Sequence, residues 1–256
     1  MPNPAEIDAI FLDVGNTLRI LLKDEPHRAA ARKEIARLVG TSQDPDEFVA
    51  ELDKRYKTYR KWAFEQMVEA SEKELWTKWL LPDFPTEQIA ALSAPLTYQF
   101  RQSMGRRVVA EGGIETVIAL YERGYVMGLI SNVITEREIP EWMEAEGITK
   151  YFKSVVLSSV FGKRKPNPAV YLEAAKRAEV PVERCAYVGD NFARDVEGTR
   201  NSGFGMIIIM PDPEDKDLVP SPEQTPDIII QSLPELLNIF PPKKQAANQL
   251  EQHVRE

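Results

Sequence analysis

Short, unbroken apolar runs recur along this chain, and several end on a residue able to do chemistry. Ala9-Ile10-Phe11-Leu12 ends at Asp13, Val126-Met127-Gly128-Leu129-Ile130 at Ser131-Asn132, and Ala186-Tyr187-Val188 at Gly189-Asp190. Residues 154–157 end at Ser158-Ser159, and 205–210 and 228–230 are further runs of the same kind. Runs this short, apolar at every position and bounded by turn residues, predict strands buried on both faces. Between them lie helical stretches. Residues 113–123 stop at Gly124 and 136–146 stop at Gly147, while 168–178 open with Asn167 as N-cap and Pro168 at the first helical position. Strands alternating with helices of this length predict an α/β fold, a doubly wound parallel sheet with helices on both sides.

Residues 21–107 break the alternation and show no strand pattern. Phe48, Leu52, Tyr56, Tyr59 and Ala63 recur every three or four positions, as on one face of a helix. Ser71 and Glu74 have the spacing of a capping box ahead of Leu75, Trp76, Trp79 and Leu80. A third helix is expected from a Thr86 cap through Ile89, Leu92, Leu96 and Phe100, with Pro95 kinking or breaking it. The expected organisation is thus a discontinuous core, residues 1–20 and 108–240, interrupted by an all-helical insertion at 21–107. A polar, glutamine-rich tail occupies 241–256.

Composition narrows the partners. The 256 residues carry 32 Lys and Arg against 40 Asp and Glu, a net charge of −8, which disfavours binding to nucleic acid or an anionic membrane surface. No apolar run approaches the ~20 residues of a bilayer span, and the N-terminus lacks the pattern of a signal peptide, so a cytoplasmic protein is expected. Cys185 is the single cysteine, which excludes an intramolecular disulfide and a thiolate cluster. The insertion holds 15 basic and 14 acidic residues, so the acidic excess lies in the core and the insertion repels an anion less.

Ligands of an open parallel sheet collect beyond the carboxyl ends of its strands. Those ends carry Asp13, Ser131 and Asp190, with Lys165 in a loop after another strand. A carboxylate followed by Gly15-Asn16-Thr17 suits a nucleophile among backbone amides, Ser131 brings a hydroxyl, and Lys165 a fixed positive charge. Two carboxylates beside one anion repel it unless a cation intervenes, and magnesium, bound through one or two carboxylates plus phosphate, meets that need. Alone, a strand-terminal aspartate is more often a turn or cap residue than a nucleophile, and the lysine segment reads as a solvated loop that starts a helix. Together they describe a phosphate site with its metal.

In these motifs the chain resembles the haloacid dehalogenase-like superfamily of hydrolases, over roughly residues 7–240. Asp13-Val14-Gly15-Asn16-Thr17-Leu18 stands where that family has Asp-x-Asp-Gly-Thr-Leu, and Ser131-Asn132 is similar to its second motif. Gly162-Lys163-Arg164-Lys165-Pro166-Asn167-Pro168 is similar to the third, and Gly189-Asp190-Asn191 with Asp195 and Gly198 to the fourth. The resemblance implies a Rossmann-like core with a helical cap. It implies Asp13 as a nucleophile forming an aspartyl-phosphate, and Ser131, Asn132 and Lys165 holding the phosphoryl group of a small phosphorylated substrate. It further implies Mg2+ on Asp13, Asp190 and the carbonyl of Gly15, with Thr17 and Asp195 in support.

Gly15 departs from the pattern. Most phosphatases of this family carry a second aspartate there, which protonates the leaving alcohol and activates water; glycine supplies neither function. General acid–base catalysis contributes ~10²–10⁴-fold, a loss that falls on poor leaving groups. Three readings stand: a magnesium-dependent phosphohydrolase that is slow or favours good leaving groups, a weak member binding a phosphorylated ligand or protein partner, and a hydrolase of carbon–halogen or carbon–phosphorus bonds. His27, one of two histidines, is the candidate substitute acid, against a plain solvent-facing reading. Lys54, Lys57 and Lys61 share a helix face that either attracts an anion or is merely solvated. Trp62, Trp76 and Trp79 read as packing, and Cys185 as an inert small hydrophobe.

Overall fold

A computed structural model describes residues 2–212 and 220–243. Six strands form one parallel sheet, ordered β5-β4-β1-β6-β7-β8. They are β1 (Ala9–Leu12), β4 (Val126–Ser131), β5 (Phe152–Leu157), β6 (Cys185–Gly189), β7 (Met206–Ile209) and β8 (Ile228–Ile229). Side chains alternate across it as the two-residue strand period requires. Ile10 and Leu12 pack with Leu129, Val188 and Ile208 on one face, while Ala9 and Phe11 pack with Ile130, Tyr187 and Tyr171 on the other. Both faces are covered, which is why the central strands are apolar throughout. The covering helices include α5 (Gly113–Glu122), α6 (Glu138–Ala145), α8 (Pro168–Ala178) and α9 (Arg194–Ser202); α7 (Ser158–Phe161) and α10 (Leu236–Ile239) are single turns. Asn167 caps α8 as its sequence predicts, accepting from the Ala169 amide at 3.0 Å.

The inserted cap has its own core. Helices α1 (Glu25–Val39), α2 (Pro45–Gln66), α3 (Glu72–Glu74, continued by a π-helix at Leu75–Leu80) and α4 (Thr86–Met104) enclose Ile35, Leu52, Tyr59, Trp76, Leu96 and Phe100. Trp76 is fully buried and donates its indole N–H to Thr97 Oγ1 at 2.8 Å, while Trp62 and Trp79 pack against each other. One detail corrects the sequence reading and a second narrows it. Thr86 is the first helical residue rather than a cap, because Pro85 holds the preceding position. Pro95 lies inside α4 without ending it, since Ile89, Leu96 and Phe100 anchor the helix on both sides of the one lost backbone bond.

The insertion is not helical at its ends. Strand β2 (Arg19–Leu22) pairs antiparallel with β3 (Arg106–Val109), forming a ribbon at the neck between core and cap. Its pattern is hidden in the sequence because Ile20, Leu21 and Leu22 are all partly exposed and the partner lies at the far end of the cap. Pro241 accepts from the Tyr125 hydroxyl and Lys243 pairs with Asp8 at 2.9 Å, while the tail expected beyond residue 243 lies outside the described residues. Among the described residues no helix is long and apolar enough to cross a membrane.

Candidate active site

Asp13 directly follows β1 and remains in the sheet, its amide donating to Val188 O at 2.9 Å. The next residues turn back sharply: the Arg19 amide donates to Val14 O at 2.7 Å and the Asn16 amide to Arg19 O at 2.8 Å. Asn16 takes a left-handed backbone (φ 54°), which its short polar side chain tolerates. This turn exposes Gly15 and Asn16 at the cavity and buries Thr17, whose Oγ1 has no hydrogen-bond partner among the described residues.

Asp13 is nearly buried, and both its oxygens are held. Oδ1 accepts from the Val14 amide and the Ser131 hydroxyl, each at 2.7 Å, and Oδ2 from Lys165 Nζ at 2.6 Å. Ser131 arrives as the last residue of β4, beside β1. Lys165 is fully buried and also meets Asp195 Oδ1 at 3.0 Å and the Tyr187 hydroxyl. Asn132 fixes the lysine's backbone from both sides: its Nδ2 donates to Lys165 O at 3.0 Å and its Oδ1 accepts from the Lys165 amide at 2.8 Å. The Asn132 side chain, expected at the substrate, thus positions Lys165, and the residue also lines the cavity that opens on Asp13.

Asp190 follows β6, and Asp195 lies in the first turn of α9. Gly189 permits this approach, because a Cβ there would stand 2.5 Å from Asp195 Oδ2. Between the carboxylates lies Arg194, to which the sequence reading assigned nothing. Its Nη2 is 2.9 Å from Asp190 Oδ1 and 3.5 Å from Asp13 Oδ2, and its Nε is 3.0 Å from Asp195 Oδ1. Three carboxylates thus face two fixed cations. Burial, followed by the charge on Asp13, pushes the Asp190 carboxyl up to about 7. Burial presses the same way on Asp195, but Arg194 and Lys165 outweigh it and hold that carboxyl below its ordinary range. Burial also raises the Tyr187 hydroxyl, ahead of the neighbouring carboxylates, so it stays a neutral partner for Lys165.

Oxygens of Asp13, Asp190 and Asp195 come within 4.8 Å of one another. An all-carboxylate set this close fits magnesium. Asp195 is engaged by Lys165, Arg194 and the Asn191 amide, Asp13 by Ser131, the Val14 amide and Lys165, and Asp190 by Arg194.

A cavity of about 200 Å³ opens on Asp13, Ser131 and Asp190, with Arg19, Arg101 and Arg107 among its remaining lining residues. His27 is absent from that lining. It sits half-buried in α1, its ring bonded to Gln102 Oε1 at 2.9 Å, so neither the acid role nor the plain solvent-facing reading describes it. Lys54, Lys57 and Lys61 also lie off the cavity, and Lys54 pairs with Glu51 at 3.2 Å. Cys185 is buried at the start of β6, and burial pushes its thiol up to about 12. Tyr187 and Arg194 were within reach of sequence reasoning: Tyr187 is the one polar tip in its strand, and Arg194 stands four residues after Asp190 and next to Asp195.

Over residues 47–209 the chain matches the family model of haloacid dehalogenase-like hydrolases. It is 31% identical over 127 residues to the glyceraldehyde 3-phosphate phosphatase of Methanopyrus kandleri, covering 49% of this chain and 54% of that protein. The chain spans about half the length of the first curated relatives it matches. A longer alignment, 26% identical over 259 residues and covering 89% and 96%, joins it to the phosphoserine phosphatase of Thermus thermophilus. Among solved structures, the 2-haloacid dehalogenase of Pseudomonas syringae pv. Tomato has a TM-score of 0.67 at 19% identity, covering 91% of this chain and 97% of that one. The HAD phosphatase of Thermococcus onnurineus has a TM-score of 0.62 at 19% identity, covering 93% and 100%. Identities this low show the shared fold.

Proposed function

Since the chain belongs to the haloacid dehalogenase-like hydrolases, we propose that it is a magnesium-dependent phosphohydrolase acting on a small phosphorylated metabolite. The observation that carries this reading is the clamp on Asp13, whose carboxylate is aimed at the cavity by Ser131, the Val14 amide and Lys165. Relatives named as phosphatases of glyceraldehyde 3-phosphate, phosphoglycolate and phosphoserine support the substrate class.

Asp13 attacks phosphorus in line, the bond to the leaving oxygen breaks with its electron pair, and an aspartyl-phosphate results. In this reading Lys165 and Ser131, which hold the carboxylate, take up the phosphoryl oxygens. Water then attacks phosphorus, the bond to Asp13 breaks, and phosphate leaves. Asp13, Asp190 and the Gly15 carbonyl would hold magnesium, which would supply charge neutralisation on the phosphoryl group. Gly15 provides no proton; of the lining carboxyls, Asp13 serves as nucleophile and Asp190 is given to the metal in this reading, and no histidine, glutamate or tyrosine stands among the described lining residues. An alkyl phosphate is therefore turned over slowly, because its leaving group departs unprotonated, while acyl and aryl phosphates lose less rate.

One observation favours a second reading. Arg194 already neutralises part of the acidic cluster, which suits a metal-free displacement of halide from a carbon atom by Asp13. Turnover of acetyl phosphate and p-nitrophenyl phosphate by the purified chain, with magnesium and with EDTA, separates the two. Phosphate release that needs magnesium and disappears in Asp13→Asn is expected. No release from any phosphate would overturn the first reading, and halide release from a 2-haloacid in EDTA would establish the second.

A further inference from the structure

The cap side of the cavity carries more positive charge than the fold itself uses. Strand residues two apart share a face, and the ribbon register pairs Arg19 with Val109 and Leu21 with Arg107. Arg19, Leu21 and Arg107 therefore project from the same face, and all three line the cavity that opens on Asp13. Arg101, from the last turn of α4, joins them there.

Among the described residues one carboxylate, Glu138, stands within ion-pair distance of any of these guanidinium groups, and Arg19 also stacks over the Trp142 ring at 4.9 Å from its centroid. Glu138 accepts from Arg19 Nη1 at 3.0 Å, from Arg101 Nη2 at 3.3 Å and, closer still, from Arg101 Nε. Arg107 pairs with no carboxylate among the described residues; its Nη1 donates to the Arg101 carbonyl at 2.7 Å. Arg19 is 9% exposed, and its Nε is buried with no hydrogen-bond partner among the described residues. Buried charges are ordinarily paired, so a wall holding three guanidinium groups and one carboxylate lacks an anion. Burial, then the repulsion of Arg101, lowers the Arg107 guanidinium to about 9, as expected where such a partner is wanting.

We infer that this wall binds a carboxylate on the substrate, with Arg107 making the direct contact, and that the substrate is a small phosphorylated carboxylic acid. The planar fork of a guanidinium matches a carboxylate. A cavity of about 200 Å³ holds a phosphoryl group with a two- or three-carbon acid. The inference rests on the phosphohydrolase reading only in placing the phosphoryl group at Asp13.

The test is equilibrium binding to the full chain carrying Asp13→Asn, by calorimetry with magnesium present. Two matched pairs serve as probes: 2-phosphoglycolate against 2-hydroxyethyl phosphate, and 3-phosphoglycerate against glycerol 3-phosphate. In at least one pair the acid is expected to bind at least tenfold tighter than its alcohol. That ratio should fall to about one in Arg107→Gln and recover in part in Arg107→Lys, which also guards against a folding defect in the first variant. Equal affinities within both pairs, no binding of any probe, or a ratio unchanged in Arg107→Gln would overturn the inference. Turnover of p-nitrophenyl phosphate by the unsubstituted chain is scored separately. Its absence would defeat the phosphohydrolase reading while the binding ratio still decides the role of Arg107.

Discussion

Arg194 Nη2 lies 2.9 Å from Asp190 Oδ1, and the same atom reaches Asp13 Oδ2 at 3.5 Å. One tethered guanidinium thus bridges the two carboxylates best placed to share a divalent ion. Magnesium binding at that position has to displace it. Calorimetry on Arg194→Gln should show magnesium affinity about tenfold higher than in the unsubstituted chain, because no side chain is evicted. The metal-free variant should also melt at a lower temperature, its carboxylates having lost a counter-charge. Equal magnesium affinities would show that Arg194 does not contend for the site.

Asp190 gives the metal-free protein a pH dependence of defined sign. Burial and the Asp13 charge raise its carboxyl to about 7, from an ordinary value of ~3.9 in the unfolded chain. The folded state holds that proton more tightly, so the stabilisation is complete below pH ~4 and is lost as pH rises through about 7. In EDTA the melting temperature should therefore fall between pH 5.5 and 8 more steeply than in Asp190→Asn. Parallel curves for the two proteins would refute the assignment.

Gly15 has room for the missing acid. A Cβ built there meets no atom within 4 Å, and the backbone is not left-handed. Gly15→Asp is expected to raise kcat/KM for an alkyl phosphate by ~10²-fold and for p-nitrophenyl phosphate by much less. Equal gains on the two substrates would dispose of the leaving-group argument.

His27 is committed to Gln102 rather than to the cavity. His27→Ala should leave turnover within about twofold, whereas a loss of ~10²-fold in steady-state kinetics would restore it as a proton donor.

Glu138 is the buried counter-charge of both Arg19 and Arg101. Glu138→Gln should cost about 3–5 kcal/mol in urea denaturation, the penalty for leaving buried charges unpaired. A loss under about 1 kcal/mol would mean that the arginines find other partners.

The legible part of this molecule was local. Asp13, Ser131 and Asp190 each end an apolar run, so strand pattern and chemistry fall within a few residues of one another. Lys165 is marked by the loop and cap that follow it. Arg194 was visible but unremarkable, since a charge in the first turn of a helix is usually solvated. The ribbon arginines were hidden for another reason. Arg19 and Arg107 meet only because β2 pairs with β3 across the whole cap, and no window along the chain contains both strands. The same non-local contact explains His27, whose partner Gln102 lies on the opposite side of that insertion.

The ribbon also sets what can be exchanged. Seen from the core, everything between Leu22 and Arg106 is a detour that returns directly opposite the point where it left. Closing a longer detour costs little more than closing a short one, because the entropy grows only with the logarithm of length. A lineage or an engineer can therefore replace the helices wholesale without disturbing the parallel sheet. Arg19 and Arg107 would stay behind on the stem, while Arg101 would leave with the graft, so a swapped lid inherits part of its predecessor's taste for anions.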